Sequence, residues 1–189
     1  MPQYLQQAAD LLGLDPCLIR AVVAVESRGN PFLPDGRPVI LFEGHVFWHQ
    51  LRKRGIRPEK YSLPEVLHET PDRSKYKGGA AEHERLNIAA LVNKDAALCS
   101  ASWGMFQIMG FNYAACGFPD VAAFVKAQES ESGQVDAFCR FLAFKGWGRY
   151  LAAHDWDNFA LLYNGPGYRK NNYHTKLRAA FERCRESAL

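Results

Sequence analysis

Apolar side chains recur along this chain mostly at helical spacing, interrupted by one short alternating run and by breaks marked with Gly and Pro. Residues 2–12 place Tyr4, Leu5, Ala8, Leu11 and Leu12 on one stripe, which Gly13 closes. Asp15 ahead of Pro16 gives a second helix its start, and Gly29-Asn30-Pro31 gives it a stop. Within it Ile19, Val22, Val23 and Glu26 share one face. The period then shortens: Pro34-Asp35-Gly36 signals a turn, and Val39-Ile40-Leu41-Phe42-Glu43 reads as a strand of a small hairpin, with Glu43 facing the same way as Val39 and Leu41.

Residues 45–51 return to helical character and stop before Gly55. Residues 55–79, rich in Pro, Gly, Lys and Tyr, read as an irregular loop. One helix is expected over about 80–98, followed by a loop that turns into a helix over 100–111. Three more helices are expected near 119–130, 132–145 and 147–163, the last broken by Asn164-Gly165-Pro166-Gly167. A final helix over about 171–187 carries Leu177, Ala180, Phe181 and Cys184 on one side. The pattern predicts an α+β chain, mainly α, with a small β-hairpin beside the helix that carries Glu26.

Two carboxylates stand out because each ends an apolar run, Glu26 on a helix and Glu43 on a strand. A carboxylate at the inner end of a greasy stripe loses hydration, and its pKa is expected to rise. An acid still protonated near neutral pH can protonate a leaving group. Glycoside cleavage needs such an acid together with a second carboxylate, for water or for the sugar cation. Tyr163-Asn164-Gly165-Pro166-Gly167-Tyr168 and the stretch around Trp103, Phe106 and Gln107 offer flat rings and amide donors of the kind that line sugar grooves.

Size and composition narrow the field. At 189 residues the chain is expected to form a single domain over 1–189, with no separate second domain, that buries about 70% of its unfolded surface. No apolar run reaches the roughly 20 residues of a membrane span. The N-terminal segment lacks a basic region followed by an apolar core, so synthesis in the cytoplasm without a signal peptide is expected. The five cysteines are odd in number and scattered, which reads as buried reduced thiols and not as a disulfide framework.

The net charge is +3, with cations concentrated at Arg52, Lys53, Arg54, Arg57 and Lys60 and along 168–189. Solvated faces are the plain interpretation. The functional one is steering toward an anionic polymer or an anionic membrane surface, for which the C-terminal helix offers Arg178, Arg183 and Arg185. No nucleic-acid module accompanies the charge, so nucleic acid is not expected as a partner. His45 and His49 have zinc-like spacing but lack the interposed Glu of a metalloprotease helix, and no Cys-His nucleophile signature is present. Neither metal nor cofactor is expected.

Three stretches, in order, carry a resemblance. Ala21-Val22-Val23-Ala24-Val25-Glu26-Ser27 resembles the catalytic-Glu helix of lysozyme-like enzymes and lytic transglycosylases. Trp103-Gly104-Met105-Phe106-Gln107-Ile108-Met109 is similar to their Gly-Leu-Met-Gln-Ile-Met segment, and Leu162-Tyr163-Asn164-Gly165 to their Ala-Tyr-Asn motif. Glu26-Ser27-Arg28-Gly29, Ile40-Leu41-Phe42-Glu43-Gly44-His45 and the late Tyr-Asn-Gly-Pro-Gly-Tyr resemble more closely the N-acetylmuramidase family of phage and prophage endolysins.

That resemblance implies a lysozyme-like fold and hydrolysis of the β-1,4 bond between N-acetylmuramic acid and N-acetylglucosamine in peptidoglycan glycan strands, leading to lysis. It implies Glu26 as general acid and Glu43 as second catalytic carboxylate. Gln107 and Tyr163 match positions that line the cleft and hold substrate or the acid. Ser102, Trp103, Met105, Phe106, Asn164 and Tyr168 are assigned to the groove. A monomer acting on the wall after release from the cytoplasm is expected. The rival readings are a lytic transglycosylase giving 1,6-anhydro products and a non-catalytic peptidoglycan-binding protein.

Overall fold

A computed structural model describes residues 2–187. Helix α2 (Pro16–Ser27) is its centre: Leu18, Ile19, Ala21, Val22 and Val23 are all buried. The Asp15 carboxylate accepts the Cys17 N–H at 2.8 Å and starts the helix as expected. The stop comes earlier than the sequence suggested. Arg28 already takes the left-handed conformation (φ 55°), so Glu26 lies in the last turn. Helix α1 (Gln3–Leu12), closed by Gly13, packs on one side of α2, and α10 (Tyr173–Glu186) packs along another.

The β element differs from the local hairpin expected. The turn at 34–36 forms, with Leu33 N–H donating to the Arg37 carbonyl at 2.8 Å, but it joins only a single bridge between Phe32 and Pro38. Strand β1 (Ile40–Phe42) pairs instead with β2 (Ala101–Trp103), and β2 with β3 (Ile108–Met109), in an antiparallel sheet with Leu41 opposite Ser102 and Ser102 opposite Met109. Residues 100–111 are therefore two strands around a turn, not a loop leading into a helix. The turn is enforced from elsewhere. Gln134, buried on α7, accepts the Met105 N–H at 2.7 Å, and a Cβ on Gly104 (φ 68°) would lie 2.6 Å from the Gln134 side chain.

Helix α3 (Gly44–Lys53) follows β1 directly, and 55–79 is irregular with 3-10 turns at Pro58–Lys60 and Arg73–Lys75. The single helix expected over 80–98 is two, α4 (Ala80–Ala90) and α5 (Lys94–Cys99), because Asn93 leaves the helical conformation and caps the Ala96 N–H at 2.8 Å. After α6 (Val121–Ala127) and α7 (Glu131–Lys145), the stretch 147–163 also divides. Its parts are α8 (Gly148–Ala152) and α9 (Trp156–Asn164), separated by left-handed His154 and by Asp155, which caps the Asn158 N–H. Among the described residues no helix is long and apolar enough to cross a membrane.

One cysteine expectation is corrected. Cys17 and Cys184 form a disulfide with their Cα atoms 5.6 Å apart, joining the first turn of α2 to the last part of α10. Cys99, Cys116 and Cys139 are free and buried. Helix α10 also turns out to be a core helix. Leu177, Ala180 and Cys184 are buried, while Arg178, Arg183 and Arg185 are exposed, with Arg185 bonded to Asp15 at 2.8 Å. Its apolar face is committed to the protein, so any attraction to an anionic surface is electrostatic and needs no insertion.

Candidate active site

Glu26 is half-buried, and the Tyr173 hydroxyl, from the first residue of α10, donates to its Oε1. Burial pushes the Glu26 carboxyl up to about 7, against the opposing effect of that hydrogen bond. Tyr163, in the last turn of α9, donates its hydroxyl to the Phe106 carbonyl at 2.7 Å and packs edge-on against Phe138 and Phe141. Both phenols are pushed well above their ordinary range, first by burial and then by the Glu26 charge, so both remain neutral donors.

Glu43 occupies the position between β1 and α3. Its N–H donates to the Ser100 carbonyl at 2.9 Å, and its Oε2 accepts the Tyr76 hydroxyl. Burial alternates along 39–44, with Ile40, Phe42 and Gly44 inside and Val39, Leu41 and Glu43 on the more open face, as the pattern predicted. His45 Nδ1 lies 3.4 Å from Glu43 Oε2. Its imidazole is held below its ordinary pKa, chiefly by burial and further by His68 and His49, although Glu43 pulls the other way. It is therefore neutral at pH 7, and the contact is not an ion pair. His49 is exposed, and among the described residues no three His, Cys, Asp or Glu side chains gather as a metal site.

Beneath Glu43 lies a pair that the sequence did not reveal. Glu82, buried on α4, accepts N–H groups from Phe42 (3.0 Å), Lys77 (2.6 Å) and Gly78 (3.0 Å). Arg85 bonds Glu82 at 2.7 Å and the carbonyls of Phe42 and Glu65 at 2.9 and 3.0 Å. One buried carboxylate thus grips the residue before Glu43 and the residue after Tyr76, which fixes the phenol against its acceptor. Burial raises the Glu82 pKa, but the three N–H groups and Arg85 outweigh it and leave the group below its ordinary value.

The remaining predicted residues divide into two sets. Gln107 (φ 49°) is half-buried, accepts from the Ser102 hydroxyl at 2.7 Å and donates to the Gly104 and Val39 carbonyls. Gln107 follows Phe106, the acceptor of Tyr163, so this one turn links the surroundings of Glu26 to the strand that leads to Glu43. Asn164 is exposed at the end of α9.

Trp103, Met105, Phe106 and Tyr168 differ from the groove assignment, because their side chains are core. Trp103 donates to the Leu98 carbonyl at 3.2 Å, and Met105 is fully buried. Phe106 stacks on Phe138 at 3.9 Å, and the Tyr168 hydroxyl donates to Asp157 at 2.9 Å. Tyr173, Tyr76, Glu82 and Arg85 were the residues missed. Tyr76 lies in an irregular loop, and Glu82 with Arg85 has the spacing of an ordinary solvent-exposed helix pair.

The sequence model of N-acetylmuramidase matches residues 15–185, a span that includes Glu26, Glu43, Tyr76, Tyr163 and Tyr173. The chain belongs to the N-acetylmuramidase family. Among solved structures, this muramidase is similar to the crystal structure of the Burkholderia AP3 phage endolysin, with 45% identity and a TM-score of 0.85. The match covers 98% of this chain and 70% of that one. No curated protein matches. The muramidase is a mainly helical peptidoglycan-cleaving enzyme of the endolysin kind, as the three ordered motifs implied.

Proposed function

We propose that this muramidase hydrolyses the β-1,4 bond between N-acetylmuramic acid and N-acetylglucosamine, with Glu26 as general acid and Glu43 as the second carboxylate. The observation that carries the reading is the Glu26 carboxyl, raised by burial to about 7 in the last turn of α2, where the Tyr173 hydroxyl holds it. Such a group keeps a large protonated fraction near neutral pH and is acidic enough to release its proton. Glu26 gives that proton to the glycosidic oxygen as the C1–O bond breaks, and the leaving sugar departs as an alcohol. Water supplies the hydroxyl that replaces it at C1. Glu43, oriented by Tyr76, either takes the proton of that water or stabilises the oxocarbenium ion. The catalysis is assigned to one domain acting as a monomer, and it requires neither metal nor cofactor.

The test is mass spectrometry of fragments released from purified sacculi. Hydrolysis predicts N-acetylmuramic acid at reducing ends, formed at a rate that Glu43→Gln lowers. Muropeptides ending in 1,6-anhydro sugar would overturn hydrolysis in favour of a transglycosylase. Sedimentation with sacculi but no fragments at all would make the protein a binder.

A further inference from the structure

The Tyr of the late motif, Tyr163, makes no hydrogen bond to Glu26: its hydroxyl goes to the Phe106 carbonyl. The hydroxyl on Glu26 comes from Tyr173, 147 residues away in sequence and outside all three motifs. Tyr173 is buried and opens α10 after Asn172, which is left-handed (φ 51°), and its N–H is held by the Tyr168 carbonyl at 3.0 Å. Helices α2 and α10 run antiparallel, because the start of α2 meets the end of α10 at Cys17–Cys184 while the end of α2 meets the start of α10 at Glu26–Tyr173. From Cys17 to Glu26 is about 13 Å of helix and from Tyr173 to Cys184 about 16 Å, so the two fastenings bracket matched lengths.

We infer that Tyr173 is a positioning residue for the general acid, fixing which oxygen of Glu26 carries the proton. This rests on the reading of Glu26 as that acid. A neutral carboxyl has one acceptor oxygen and one hydroxyl oxygen. Tyr173, a donor to Oε1, makes Oε1 the acceptor and leaves the transferable proton on Oε2. As the proton leaves, the same hydrogen bond becomes charge-assisted and strengthens, which eases the transfer. The ionisable groups facing Glu26 are Tyr173 from α10 and Tyr163 from α9. Only the first donates to it.

The experiment compares Tyr173→Phe, Tyr163→Phe and Glu26→Gln with the parent, following release from soluble peptidoglycan strands against pH. Tyr173→Phe is expected to lower kcat roughly 10- to 100-fold with KM within about twofold, the scale of one hydrogen bond to a charged group. It is also expected to move the alkaline limb to higher pH, because the contact it removes lowers the Glu26 pKa. Tyr163→Phe should leave that limb where it is. Site-specific 3-fluorotyrosine at 173, a stronger donor of nearly the same size, should move the limb to lower pH. This second substitution keeps the test valid if Tyr173→Phe fails to fold. An alkaline limb that stays in place with fluorotyrosine, or with folded Tyr173→Phe, overturns the inference while Glu26 stands, provided Glu26→Gln is inactive. A Glu26→Gln variant as active as the parent overturns both.

Discussion

Glu26→Gln is expected to slow peptidoglycan cleavage roughly 10²- to 10⁴-fold, the range a positioned general acid supplies, while raising the stability of the folded chain in alkaline solution. The two effects come from the same burial. In the unfolded chain Glu26 ionises near 4.5, and in the folded chain only near 7. Below pH 4.5 the group is neutral in both states and folding incurs no penalty. As pH rises toward 7 the unfolded state loses its proton first, so stability is lost across that window and then levels off. The shift sets the loss at up to about 3 kcal/mol. Glutamine has no proton to lose and keeps the hydrogen bond from Tyr173. Thermal unfolding of parent and variant should therefore coincide more closely at pH 4 and diverge by pH 8, with the variant the more stable. A gap that does not change with pH would remove the buried-acid argument, and sacculi cleared at the parent rate would remove the catalytic one.

Arg85→Met is expected to destabilise the protein by about 3–5 kcal/mol, because it strips the counterion from a carboxylate that has no access to water. The reverse deletion, Glu82→Met, strands Arg85 and frees the N–H groups of Phe42, Lys77 and Gly78 together. Replacing both by Met should recover much of the loss, since an apolar pair leaves no buried charge alone. It should not recover activity, because nothing then holds Tyr76 against Glu43. The pH sign is opposite to that of Glu26. The Glu82 pKa is depressed on folding, so its contribution is present above the ordinary carboxylate range and lost as acid protonates it. Urea unfolding of the two singles and the double makes a double-mutant cycle. Midpoints for the singles equal to the parent's would show that the buried pair contributes nothing.

What the sequence revealed and what it hid follow from distance along the chain. Glu26 was legible because its helix carries its own start signal and an apolar face within one 12-residue element. The facing of Glu43 was legible because three alternate positions settle it. Strands of two and three residues are too short to leave a period, and β1 finds its partner 61 positions later, at Leu41 and Ser102. Tyr173 looks locally like the first apolar residue of a helix; only the antiparallel course of α2 and α10 brings it to Glu26. Cys17 and Cys184 are 167 residues apart within an odd set of cysteines, so nothing in their spacing pairs them. The breaks at Asn93 and Asp155 interrupt an apolar period that continues on either side, so spacing alone runs through them.

The bond between Cys17 and Cys184 also makes nearly the whole polypeptide a closed ring. One proteolytic nick in the exposed stretch near Arg73 opens that ring without parting the pieces, leaving the fragment with Glu26 and Glu43 tied to the fragment with Tyr163 and Tyr173. Nicked protein should run as a single band on a non-reducing gel and as two bands after thiol treatment. A first cut there would leave both halves of the candidate site on one covalently joined molecule.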